Sequence, residues 1–276
     1  MKYISWILIV SMILIFAVLI IRGQSVLKNI SSYRIYYGRM NDNILEDMKA
    51  YDMVVVEALR FDEKMVADLK ASGVKVIGYI SVSEVGSWDD AIIDKLNPED
   101  YYHENGRVLM NRKNKLGDLN SLYFRSVLLK TIEERIVSKG MDGLFFDTLG
   151  SIDIIKDPDQ RHEQALGYVE LIEDIRLEWK DLILIQNRGF NYTYVLERGM
   201  IDGFLWENFN GDRINEKSYL ARAKDLHRLR WIGKVRTLVL AYKNEESSKV
   251  AAVRNHWLFS YLNGQDGLME WDTSQE

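Results

Sequence analysis

The sequence predicts an α/β fold, a (β/α)8 TIM-type barrel preceded by one N-terminal transmembrane helix. Three observations carry this expectation. Short runs rich in β-branched and aromatic residues alternate with longer amphipathic stretches, the signature of βα units around a parallel sheet. Eight such runs can be marked out, and most are continuously apolar (VVV, LFF, LILI), as strands buried on both faces must be. The chain has 276 residues, and without an apolar N-terminus its length matches the roughly 250 residues of one barrel.

The first element is the run ISWILIVSMILIFAVLII from Ile4 to Ile21, which has no charge and no helix breaker and is bracketed by Lys2 and Arg22. At about 1.5 Å per residue it spans most of a bilayer core about 30 Å thick. Leu19, Ile20 and Ile21 lead straight into Arg22, Gly23 and Gln24 without a small-x-small cleavage site, so the segment reads as an uncleaved signal anchor. Residues 1–24 are therefore expected to form an anchor in the lipid bilayer, and residues 25–276 an extracytoplasmic barrel domain.

The barrel strands are expected at Arg34–Tyr37, Met53–Glu57, Lys75–Ile80, Gly143–Asp147, Leu182–Gln186, Gly203–Glu207, Val235–Ala241 and Gly267–Trp271. Helical spacing marks Leu122–Val137, through Val127, Leu128, Ile132 and Ile136, and Glu163–Trp179, through Leu166, Val169, Ile172 and Ile175. The prolines, Pro98 and Pro158, mark no interdomain linker. One connection departs from the pattern: Ser81 to Leu119 is long, polar and aromatic, carrying Trp88, Tyr101, Tyr102 and His103. Long βα loops in compact barrels usually serve function.

Composition removes several chemistries. The formal charge is −5 and the basic residues are scattered, leaving no footprint for nucleic acid. There is no cysteine, which excludes disulfides, thiolate metal sites and a cysteine nucleophile. His103, His162, His227 and His256 lack metal-ligand spacing, no Gly-rich phosphate loop follows a strand, and no Gly-x-Ser-x-Gly elbow occurs. Neither a metal nor an organic cofactor is expected.

Carboxylates are what remain. Asp52-MVVV-Glu57, Asp142-GLFF-Asp147 and Asp202-GFLW-Glu207 each place one acid before a strand and one at its end, with Asp266-GLM-Glu270 a shorter fourth copy. Turn geometry explains the leading aspartates. The trailing acids Glu57, Glu84, Asp147, Glu207 and Glu270 would reach the C-terminal rim, where active sites of this fold are built. Asp147 and Glu207 end the fourth and sixth strands, and alternate strands feed the same interior layer, so these two should face each other. Glycoside cleavage needs such a pair flanking an oxocarbenium-like centre, and the sequence spacing leaves a retaining or inverting outcome open. Phe146 and Trp206, beside them in strands, read as core, whereas Trp88 in its loop is the better platform for a sugar ring.

The motifs YDMVVVEA, VIGYISVSEVGSW, DGLFFDTLGS, LILIQNRGF and IDGFLWENF, in this order, resemble the endo-α-1,4-polygalactosaminidase family of glycoside hydrolases, from Tyr33 to Trp271. The resemblance implies a (β/α)8 barrel acting on a polysaccharide rich in amino sugars. It implies Asp147 and Glu207 as catalytic acids, with Glu84 and Asn187 lining the sugar site. Glu57 stands where the family commonly has Asp, and Ser83 where Gly commonly precedes the acid. Glu57, Glu84, Trp88, Asn187 and Glu270 are thus the expected substrate-binding residues. A non-hydrolytic carbohydrate-binding barrel is the alternative, and a tethered structural domain a third.

Overall fold

The computed structural model describes residues 25–192 and 200–271. The apolar run 4–21, and with it the anchor domain 1–24, lies outside the described residues. No described helix is long and apolar enough to cross a membrane.

Eight parallel strands pair in chain order: β1 Tyr33–Tyr36, β2 Met53–Val56, β3 Lys75–Ser81, β4 Gly143–Asp147, β5 Ile183–Asn187, β6 Gly203–Glu207, β7 Arg236–Ala241 and β8 Leu258–Tyr261. β8 returns against β1, so the sheet is a nearly closed barrel. The crossovers carry α1 Asp42–Met48, α2 Glu63–Ala71, α3 Leu122–Ile132, α4 Pro158–Glu178, α5 Lys217–Gly233 and α6 Glu245–Arg254. Several open on a capped turn: the side chains of Asn41, Asp62, Ser121 and Asp157 accept backbone N–H groups of α1, α2, α3 and α4. α4 begins five residues before its expected start because Asp157 caps it and Pro158 fills the first position, where a missing N–H costs nothing.

Period-two alternation sorts the side chains into two buried sets. Tyr33, Val55, Ile77, Phe145, Ile185 and Leu205 fill the inside of the barrel. Val54, Val76, Phe146, Leu184, Phe204 and Trp206 face outward into the helical layer. Phe146 and Trp206 are thus core residues, 0% and 2% exposed.

The eighth strand corrects the sequence expectation. Gly267–Trp271 is not a strand; the chain pairs with β7 earlier, at Leu258–Tyr261, and Gln265–Leu268 forms a short 3-10 turn. The physical reason is the Asp266 carbonyl, which accepts the N–H groups of Met269 and Glu270 and curls the Asp-Gly segment instead of opening a strand. Gly264, at φ +79°, sets that turn.

The long β3–α3 connection folds into small structures of its own. Glu84–Val85 and Met110–Asn111 flank Asn114–Leu116 in an antiparallel sheet, and His103–Glu104 pairs with Arg107–Val108. Arg135, from the wide turn Glu133–Val137 that continues α3, grips Asp89 with two bonds of 2.7 Å. A bidentate pair shielded from solvent holds the connection against the barrel.

Candidate active site

β4, β5 and β6 end on Asp147, Asn187 and Glu207, and each turns sharply at the next residue. Thr148, Arg188 and Asn208 all have positive φ, at 70°, 56° and 56°. For a β-branched residue such as Thr148 this region is costly, and its persistence here indicates that the surroundings impose it. Those surroundings are visible. The Thr148 hydroxyl accepts the Ser83 N–H at 3.1 Å and the Glu84 N–H at 3.3 Å, while the Ser83 hydroxyl donates to the Thr148 carbonyl. The residue after one carboxylate therefore fixes the backbone carrying another.

Asn187 sits between the two principal acids. Its Nδ2 donates to Asp147 Oδ1 at 2.9 Å and to Glu207 Oε2 at 2.8 Å. The two oxygens share one nitrogen, so they lie within about 6 Å of each other, inside the range in which a carboxylate pair can act on one glycosidic bond. Charge decides the amide's orientation, because the flipped form would aim its oxygen at two carboxylates. The cost is visible in Asn187 Oδ1, which is buried without a hydrogen-bond partner.

Tyrosines form the floor. The Tyr242 hydroxyl donates to Glu207 Oε1 at 2.6 Å. Tyr37 and Tyr79 stack edge-on, 4.9 Å between centroids, and the charges of Asp147 and Glu207 help raise the Tyr37 pKa well above its ordinary value, after burial. Burial raises the Asp147 carboxyl above the usual carboxylate range; the Glu207 charge adds to this, while the Thr148 N–H and the hydrogen bonds from Asn187 and Tyr79 oppose it.

Above this floor opens a cleft of about 650 Å³ lined by Glu84, Asp147, Asn187 and Glu207. Glu84 is held by Asn111 Nδ2 at 2.8 Å, Asn114 Nδ2 at 2.6 Å and the Ser151 hydroxyl. Asp153 is held by Asn191 and by the Tyr192 hydroxyl. Arg112, Arg188 and Arg222 complete the polar wall, Arg222 lying over the Phe190 ring at 4.8 Å. Among the described residues, no three His, Asp or Glu side chains converge as a metal cluster.

The model of glycoside-hydrolase family GH114 matches residues 26–227. This chain belongs to family GH114. It is therefore a glycosidase. The GH114 barrel is similar in fold to the glycoside hydrolase domain of PelA from Pseudomonas aeruginosa, with a TM-score of 0.73, 21% identity, and coverage of 89% of this chain and 99% of that one. It is also similar to Ega3 of Aspergillus fumigatus, solved with galactosamine, with a TM-score of 0.63, 16% identity, and coverage of 87% and 93%. Amy13B of Eubacterium rectale follows at a TM-score of 0.60 and 12% identity, with coverage of 88% and 67%. No curated protein matches the sequence.

The GH114 cleft gathers four of the residues singled out from sequence and leaves three outside. Asp147, Glu207, Glu84 and Asn187 line it. Glu57 caps the short 3-10 turn after β2, accepting the Leu59 N–H at 3.2 Å, and does not line the cleft. Trp88 is 60% exposed, with its indole folded back over Gly86 rather than facing the acids. Glu270 is exposed on the turn that replaces the expected strand, so it reaches no strand end. Sequence reasoning missed Tyr242, although continuing the inward alternation of Leu238 and Leu240 leads to it. Asn111 and Asn114 gave no signal, because only the folding of the long connection brings them to Glu84.

Proposed function

We infer that this GH114 glycosidase is an extracytoplasmic, membrane-anchored enzyme that cleaves internal α-1,4 linkages of a galactosamine-rich exopolysaccharide, with Asp147 and Glu207 as its catalytic pair. The observation that carries the reading is the single Asn187 amide bonded to both carboxylates. Oxygens of the pair within about 6 Å of each other fit the closer of the two carboxylate spacings used in glycoside cleavage, that of retention through a covalent intermediate. One carboxylate attacks the anomeric carbon as the other protonates the departing glycosidic oxygen. Water, deprotonated by that second group, then attacks the anomeric carbon and breaks its bond to the first carboxylate, releasing the sugar.

The substrate class is supported by the motif resemblance and by the galactosamine bound to the similar Ega3. The carboxylates lining the cleft suit a partly deacetylated, cationic chain. Localisation rests on the apolar run 4–21.

The full chain in detergent is expected to release reducing ends from purified galactosamine-rich polymer, and Asp147→Asn and Glu207→Gln each to lose on the order of a thousandfold in rate. Binding without release by the unaltered chain would instead indicate a sugar-binding barrel. Azide separates the roles. In the glycine variant of the acid/base it traps the glycosyl-enzyme with retained configuration, and in that of the nucleophile it attacks directly with inversion.

A further inference from the structure

We propose that the N-terminal face of the barrel rests on the bilayer surface, with Trp231 and Ile232 inserted among the lipid headgroups and the catalytic cleft turned away from the membrane. The inference rests on the anchored reading of residues 4–21 given above.

The path of the chain supplies the first constraint. Leu27 is fully buried under the barrel, where a Cβ on Gly203, the first residue of β6, would meet its Cδ1 at 3.0 Å. Ser31 and Ser32 then bond to Asp52, just before β2. The polypeptide thus enters across the N-terminal face. Between Ile21, the end of the apolar run, and Ser25 lie only Arg22, Gly23 and Gln24. From Ile21 to Ser25 is four Cα steps, about 14 Å when fully extended. A headgroup layer is about 6 Å deep on each side of the bilayer core, so the tether holds this face within about 8 Å of the membrane surface.

The surface there supplies the second, independent observation. α5 ends at this face, one residue before the Lys234 cap and three before Arg236 opens β7. Its last turn presents Trp231 at 85% and Ile232 at 57% exposure. A tryptophan left this open in water is unusual, whereas the interfacial zone of a membrane is where its amphipathic ring is most stable. Arg230 and Lys234 flank the pair, exposed and without a carboxylate partner among the described residues. Three aspartates of this rim are engaged within the protein, Asp52 by the two serines, Asp142 by Lys70 and Lys75, and Asp202 by Arg176, while Asp181 before β5 is exposed. An apolar pair between free cations matches the interface of an anionic leaflet.

The functional consequence is geometric. α5 has 17 residues, so its other end stands about 25 Å higher, beside the Ser218 and Arg222 that line the cleft. The enzyme would cut polymer passing at that height, and not lipid-linked sugars in the headgroup layer.

The sequence has no cysteine, so single labels are clean. The full chain carrying Trp231→Cys or Ile232→Cys, labelled with an environment-sensitive dye, is placed in phosphatidylglycerol-containing vesicles beside Leu220→Cys, an exposed site at the far end of the same helix. Headgroup-level nitroxide lipid is expected to quench the 231 and 232 labels at least about twofold more strongly than the 220 label. Equal, weak quenching of all three in chain that co-floats with vesicles would overturn the orientation while leaving the anchor intact. Failure to co-float would remove the anchored reading itself, and the inference with it.

Discussion

At the scale of single residues, the site is a compromise between a buried charge and the chemistry that needs it. Burial raises the Asp147 carboxyl, so the native state holds its proton more tightly than the unfolded chain. The sign of the pH effect follows. The contribution is complete below the ordinary aspartate value of about 3.9, declines as pH rises towards the raised native value, and stays lost above it. Asp147→Asn never acquires that charge, so its melting temperature relative to the unaltered protein should climb between pH 4 and 7, as thermal unfolding at a series of pH values would show. A constant difference would mean that burial does not disfavour the charge. Asn187 acts through position: Asn187→Ala should lower kcat by about 10- to 100-fold with little change in KM, since misplacing reacting groups by an ångström costs that much. Because the active form of the pair holds one proton, the rate should follow a bell-shaped pH profile, and a flat profile would count against both residues.

At the scale of elements, close approach of α4 to the β3–α3 connection fixes the wall of the site. Gly167 lies within α4, and a Cβ there would come 2.4 Å from the Leu119 carbonyl oxygen, which already accepts Arg125 Nη1 at 2.6 Å. Helix propensity alone would make Gly167→Ala stabilising by about 1 kcal/mol. A backbone clash that cannot relax outweighs it, so the substitution should destabilise by about 1–3 kcal/mol in denaturant titration. What was legible at this scale followed local physics. β4 and β6 could be read with their final acids because GLFFD and GFLWE are continuous apolar runs opened by Asp-Gly turns. β8 could not, because Leu258–Tyr261 is only four residues long and half-buried, while Asp266-Gly267 copied the pattern of a strand start without its pairing. Glu84 was found from its motif, but the asparagines that hold it come from a hairpin whose folding no periodicity announces.

At the scale of the whole molecule, the cleft and the proposed membrane contact lie on opposite rims of one barrel. The C-terminal rim gathers Glu84, Asp147, Asn187 and Glu207 into the cleft, while the N-terminal rim receives the chain from the apolar run and carries Trp231 and Ile232. We propose that Asp147 and Glu207, bridged by Asn187, perform a double displacement on an α-linked amino-sugar polymer. Proton NMR of the reducing ends formed in the first minutes of digestion tests it most directly. The α-anomer should come first and equilibrate later, whereas initial release of the β-anomer would show single displacement and contradict the close-paired mechanism.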